Sequence, residues 1–140
     1  MASANALNFP KRLAESYFGG GTFKMLLVSS APSEIELDTW SFRSNITNEV
    51  TGPGYTTGGF AVVPTVGSVD AENNRVPVFF ADLEPALPAA TISAVGGWIY
   101  KIGVSAETDE LVQFVDFGGA FTSTNGPFSI VFNSPLYVYR

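Results

Sequence analysis

Thirteen Asp and Glu side chains carry most of the chemistry open to this chain, because its 140 residues include no His and no Cys. Their absence removes the commonest general base, the commonest metal ligand and the best thiol nucleophile. A Ser-His-Asp triad, a Cys-His pair and a Cys/His zinc site cannot be assembled from it, and neither can a disulfide framework. Carboxylate chemistry remains, in three groupings. Glu34, Glu36 and Asp38 alternate, which on a strand sets all three on one face, an arrangement that suits a hard cation such as Ca²⁺. The competing reading is a solvated face, and the spacing lacks the central Gly and terminal Glu of a calcium loop. Asp82 and Glu84, with Asp70 and Glu72 across an expected hairpin, are paired carboxylates of the type used in glycoside hydrolysis. That use requires a separation and burial that split their pKa values. Glu107, Asp109 and Glu110 fall between two strong strands, where charge keeps a hairpin loop soluble and discourages edge pairing. The reading adopted is that none of the three is catalytic, that no metal or cofactor is bound, and that the protein is not an enzyme.

The glycines do not alter that reading. Gly19-Gly20-Gly21 leads into a strand, so no helix N-terminus waits there for a phosphate. The net charge of −6, with seven basic residues scattered from Lys11 to Arg140, argues against nucleic acid as a partner. No apolar run approaches the roughly 20 residues that span a bilayer, so no membrane partner is expected. The segment Met1–Ala6 has no basic region followed by an apolar core, and synthesis in the cytoplasm is expected. Charged residues make up only 14% of the chain, against about 25% in typical soluble proteins. That leaves much weakly polar surface, as expected of a Gly- and Pro-rich β domain or of a surface covered by another subunit.

Residues 8–18 predict one helix. Pro10 suits a first helical turn, and Leu13 and Tyr17, with Ala14 and Phe18, are expected on one side of it. The three glycines end it. Residues 22–29 read as a core strand. The stretch 35–50 reads as an excursion with a helical turn near 39–44 and with Trp40 and Phe42 as anchors. Strands are expected over 60–66, 75–80, 91–104, 111–117 and 127–132, with 136–139 at an edge and a loop at Pro85 and Pro88. Gly96-Gly97 predicts a bulge or kink. The class is therefore all-β, a sandwich or jelly-roll-like domain of about seven to eight strands with one N-terminal helix. The division expected is an N-terminal arm and helix over residues 1–21 and the β domain over 22–140.

Rings in polar sequence must find cover. Trp40, Phe42 and Tyr55 either cap the domain's own core or act as interface anchors, with Arg43 as a companion. The arm raises the same question. Its Leu7, Phe9, Leu13 and Tyr17 either reach a neighbouring subunit or pack on their own domain. A third possibility is a carbohydrate-stacking platform built from Trp40, Trp98 and Tyr55.

Several segments taken in order resemble small structural proteins of tailed bacteriophages. They are Phe23 to Ser33, Asp38-Thr39-Trp40, Ile46-Thr47-Asn48-Glu49-Val50, and Gly52-Pro53-Gly54-Tyr55-Thr56-Thr57-Gly58-Gly59. A loop like 69–75 followed by an apolar strand ending at Asp82 also fits. The resemblance covers about the first two-thirds of the chain and carries no catalytic motif. It implies a head decoration, or cement, protein on the outer capsid surface of the virion, bridging major capsid subunits. Its partners would be the major capsid protein and itself, as a homodimer in preference to a trimer. The alternative it leaves open is a tail- or fibre-associated carbohydrate- or receptor-binding module.

Overall fold

The structure is a computed structural model that describes residue 6 and residues 8–139; Leu7 lies outside the described residues. Strands hold 49% of the chain, in two antiparallel sheets of seven strands with an N-terminal helix, so the class is all-β. The chain divides into two compact units. One comprises the described part of Met1–Gly21 with Val63–Asp82 and the described part of Val131–Arg140; the other comprises Thr22–Val62 and Leu83–Ile130. The expected division after residue 21 coincides with the end of one segment, whereas residues 22–140 are shared between both units.

In the first unit helix α1 (Asn8–Gly19) packs on a sheet of strands β3 (Pro64–Val66), β4 (Arg75–Phe80) and β7 (Leu136–Tyr139), in the order β3-β4-β7. Pro10, Ala14 and Phe18, spaced by four, form the buried stripe of the helix. Leu13 is one 100° step away from that stripe and is half exposed, so the expectation that it shares a side with Ala14 and Phe18 is corrected. Val76, Val78 and Phe80 alternate inward along β4, and the Phe18 ring meets Phe80 edge-on at 6.3 Å. The Arg75 guanidinium lies 3.6 Å from the Tyr137 ring centroid and its Nε donates to Asp70 at 3.1 Å, closing the turn before β4.

In the second unit the order is β2-β1-β5-β6, with β1 (Phe23–Val28), β2 (Phe60–Val62), β5 (Leu83–Lys101) and β6 (Glu110–Ile130). Met25, Leu26, Leu27 and Val28 are all buried, as suits a central strand covered on both faces. Gly97 sits opposite Leu27, where an added Cβ would come within 2.8 Å of the Leu26 carbonyl, so only glycine lets β1 and β5 approach there. A register shift between Ala94 and Gly96 supplies the expected irregularity.

Four local expectations change. The single strand expected over 60–66 is two three-residue strands, one in each sheet. Pro85 and Pro88 do not make a loop; they lie exposed within β5, where the pairing shifts register around Leu87. The strands expected over 111–117 and 127–132 are one continuous β6. The stretch 34–45 carries a short helix α2 (Glu34–Thr39) and a 3₁₀ turn (Arg43–Asn45), not one turn over 39–44.

Candidate functional site

The residues between β1 and β2 form the most elaborated part of the second unit. Strand β2 pairs with β1 only from Phe23 to Met25. Beyond that point the outer edge of β1 needs other partners, since buried backbone donors and acceptors are almost always satisfied. Residues 48–50 supply several of them. Val50 N–H donates to the Leu27 carbonyl at 2.9 Å and Ser29 N–H to the Asn48 carbonyl at 3.0 Å. The Leu27 N–H goes to a side chain, the Tyr55 hydroxyl, at 3.1 Å.

That hydroxyl donates in turn to Glu49 Oε2 at 2.6 Å, and Gly58 N–H donates to the same oxygen at 2.7 Å. The Gly58 carbonyl accepts from the Tyr100 hydroxyl of β5 at 2.6 Å. The Gly52–Gly59 turn is thereby tied to β1 through Tyr55 and to β5 through Tyr100. Its backbone demands glycine: Gly54, Gly58 and Gly59 have φ of 82°, 95° and 83°. Pro53 also accepts from Thr91 N–H at 2.9 Å, which lays the turn along β5.

A second polar centre joins this one. Asp109, at 4% exposure, accepts from Gly103 N–H at 2.6 Å through Oδ1 and from Arg43 Nε at 2.7 Å through Oδ2. Its carbonyl takes the Arg43 N–H at 2.8 Å. The Arg43 guanidinium lies 5.4 Å from the Tyr100 ring centroid, so one ring touches both centres. An aromatic cluster completes the arrangement, with Trp98 5.4 Å from Phe114 and 6.3 Å from Trp40 over Leu26 and Val28.

The geometry is that of a mechanical tie. Glu49, Tyr55 and Tyr100 spend polar atoms holding loop backbone to the sheet, and Arg43 and Asp109 join the 3₁₀ turn to the loop before β6. Burial raises the Tyr55 hydroxyl pKa far above the usual phenol range, reinforced by its bond to Glu49. Burial likewise pushes Tyr100 up to about 12, although the nearby Arg43 charge opposes this. Between the ordinary tyrosine value of about 10 and that value the unfolded chain loses the Tyr100 proton before the folded one does. Stability contributed by neutral Tyr100 is therefore fully present below pH ~10 and is lost as pH rises through ~12. Alkaline urea titrations of the wild type should show this fall, and Tyr100→Phe should make it shallower, leaving the part due to the raised Tyr55 hydroxyl. A profile unchanged by that substitution would remove Tyr100 from the tie.

The acidic groupings resolve differently from their sequence spacing. Glu34, Glu36 and Asp38 lie on a helix, not a strand, so Glu34 and Asp38 share a face while Glu36, about 200° from each, points to the other side. Ser33 and Glu36 form a capping box, with each side chain bonded to the other's backbone N–H at 3.2 Å. Asp70 binds Asn73 and Arg75, and Asp82 accepts from Phe132 N–H at 2.8 Å. Among the described residues no three acidic side chains are grouped as metal ligands. A recess of about 150 Å³ in the first unit, lined by Phe79, Phe80, Phe132, Asn133, Ser134 and Pro135, is below the roughly 300–1,000 Å³ of small-molecule sites.

Of the candidate interface residues, Phe9, Leu13 and Phe42 are exposed, at 39%, 50% and 38%. Tyr17 is partly buried, edge-on to Phe18 at 5.1 Å. Trp40, Arg43 and Tyr55 face inward into the tie. Trp98 is buried at 5%, so a stacking platform of Trp40, Trp98 and Tyr55 has no exposed Trp98 face. Sequence reasoning missed Glu49, Tyr100 and Asp109: Tyr100 sat inside an apolar run, and Asp109 read as a solubility charge. Comparison with protein-family models, with curated proteins and with solved structures finds no match.

Proposed function

We propose that this chain is a non-enzymatic structural protein of a tailed-phage virion, a cement protein that binds the outer capsid surface and bridges major capsid subunits. The observation that carries the proposal is the use made of the polar side chains in the Trp40–Tyr55 excursion. They stiffen a loop against a sheet, a useful property in a part that bears load and performs no reaction. The sandwich or jelly-roll-like class is part of the same proposal.

The contact surface would be apolar with a polar rim, as interfaces are. Phe9 and Leu13, one turn apart on α1, offer such a surface in the first unit, and Phe42 offers another in the second. Neither is needed to complete a core. Many copies on one shell would multiply a modest contact into firm attachment.

Sedimentation velocity with and without empty phage-type capsid shells tests this. The expected result is saturable co-sedimentation at a fixed ratio of copies per shell subunit, weakened by Leu13→Asp without a change in unfolding temperature. A chain that stays behind every shell overturns the cement reading.

A further inference from the structure

Asparagine is a thermolabile side chain, because its carboxamide can be attacked by the backbone nitrogen of the next residue. The attack needs a side chain that no hydrogen bond holds, a following residue without a Cβ in the way, and a backbone able to bring the two atoms together. The described asparagines divide on these grounds. Asn45 Oδ1 accepts from the Ser41 and Phe42 N–H groups at 3.1 and 3.0 Å, and Asn48 Nδ2 donates to the Ser30 carbonyl at 2.9 Å. Asn73 Nδ2 donates to Asp70 Oδ2 at 2.9 Å. Asn8 and Asn133 are exposed, but Phe9 and Ser134 follow them. Asn74 has a φ of 55°, yet Arg75 follows it, and the Arg75 N–H is spent on the Asp70 carbonyl at 3.1 Å.

Among the described residues Asn125 alone meets all three conditions. It is exposed, its side chain makes no hydrogen bond there, and Gly126 follows it. Its φ of 46° lies in the left-handed region, which Asn enters more readily than most side chains. It sits on a bulge: Ala90 faces Gly126 and Ile92 faces Ser123, so two steps along β5 match three along β6. Its own N–H goes to the Thr91 hydroxyl at 2.9 Å and not to the β5 backbone. The pairing of Gly126 with Ala90 must open before the Gly126 nitrogen can react, and that opening is local. β1 supports β5 only over Gly96–Lys101, so here β5 and β6 form a two-stranded ribbon, and two strands alone are marginal in water.

We propose that Asn125 is a self-modification site, converted in the folded protein to aspartate and isoaspartate through a cyclic imide with Gly126. The Gly126 nitrogen, its proton lost to solvent base, bonds to the Asn125 side-chain carbonyl carbon. The bond from that carbon to the NH₂ group breaks, and the group takes a proton and leaves as ammonia. Water then adds to one of the two ring carbonyls and the ring C–N bond there breaks. Cleavage at the side-chain carbonyl gives aspartate on an ordinary backbone. Cleavage at the Asn125 backbone carbonyl leaves the chain running through the side-chain methylene, which is isoaspartate. The sum is one water consumed and one ammonia released, with no oxidation or reduction. Each converted copy gains one negative charge, and the isoaspartate form lengthens the backbone before Gly126, taking it out of register with Ala90. The site goes beyond the cement reading and does not rest on it.

Peptide mapping by mass spectrometry, with fragmentation that separates isoaspartate from aspartate, tests this. The wild type is held folded in warm, mildly alkaline buffer made with heavy-oxygen water, and a second sample is held unfolded in urea. Asn125→Gly, which suits the positive φ and removes the carboxamide, and Gly126→Ala run beside them. Gly126 has no positive φ, and a Cβ there would meet only the Thr124 carbonyl at 3.6 Å, so alanine is accommodated. In the folded wild type Asn125 is expected to convert before any other asparagine. Both products should carry solvent oxygen, and their rate of formation should rise with pH. Gly126→Ala should slow the conversion several-fold, and Asn125→Gly should lack the acidic variant altogether. Conversion confined to the urea sample, earlier conversion at another asparagine, aspartate without isoaspartate, or an equal rate in Gly126→Ala overturns the proposal.

Discussion

Gly59→Ala is expected to destabilise the protein by about 3–5 kcal/mol, lowering its Tm by roughly 10–20 °C. Two effects add. At φ +83° the backbone of Gly59 lies in the left-handed region, which an L side chain enters only under strain. An added Cβ would also overlap the Met25 carbonyl and come within 2.8 Å of the Leu26 Cα, both backbone atoms of the central strand. Neither can move aside like the end of a flexible side chain. Relief requires lifting the turn from β1, which pulls on the Gly58 bonds to Glu49 and Tyr100. Gly19→Ala is the control, since nothing lies within 4 Å of its Cβ and no positive φ is involved; it should change stability by less than about 1 kcal/mol. Thermal unfolding followed by circular dichroism separates the two. Equal Tm values for both variants would mean that the turn does not sit against β1 as described.

How much of this was legible in the sequence depended on whether the deciding partner was near or far along the chain. Helix α1, strand β1 and strand β4 were readable because periodicity and local breakers agreed. Helix α2 was not, since its Ile35 and Leu37 are exposed and give no core-facing stripe. Its Ser33…Glu36 capping box was nevertheless present in the sequence and is what starts it. Strand β5 begins earlier than expected because Pro85 and Pro88 read as a loop, and no local signal joins the strands expected over 111–117 and 127–132 into one β6. The loop reading holds for a strand paired on both sides. Proline sacrifices only an N–H, and β1 pairs with β5 only over Gly96–Lys101, so Pro85 and Pro88 leave no β1 partner unmet. The tie was half legible. Tyr55 and its glycines stood out as a turn, but Glu49, Tyr100 and Asp109 acquire their roles from partners up to 66 residues distant, as Arg43 and Asp109 show. No local spacing marks such a pair.

Arg43 decides between two uses of one residue. As an interface anchor it would be dispensable to the isolated fold, and Arg43→Ala would cost stability little. The structure uses it otherwise. Asp109 is buried, and Arg43 supplies both its neutralising charge and one of its two side-chain hydrogen bonds. Removing one member of a buried ion pair costs about 3–5 kcal/mol, because the remaining charge is stranded. Since a quarter of the Arg43 side chain is exposed, water reaches part of the site, and the lower end, about 3 kcal/mol, is expected. The cation's contact with the Tyr100 ring is lost as well. Asp109→Asn should cost less than Arg43→Ala, since the amide carbonyl can still accept from Gly103 and the Arg43 charge left behind is a quarter exposed to water. Urea unfolding of Arg43→Ala, Asp109→Asn and the double variant forms a cycle, and the double variant should be more stable than the sum of the single losses allows. Strict additivity would mean that the two side chains do not act as a pair, and Arg43 would return to the surface as a residue available for a partner.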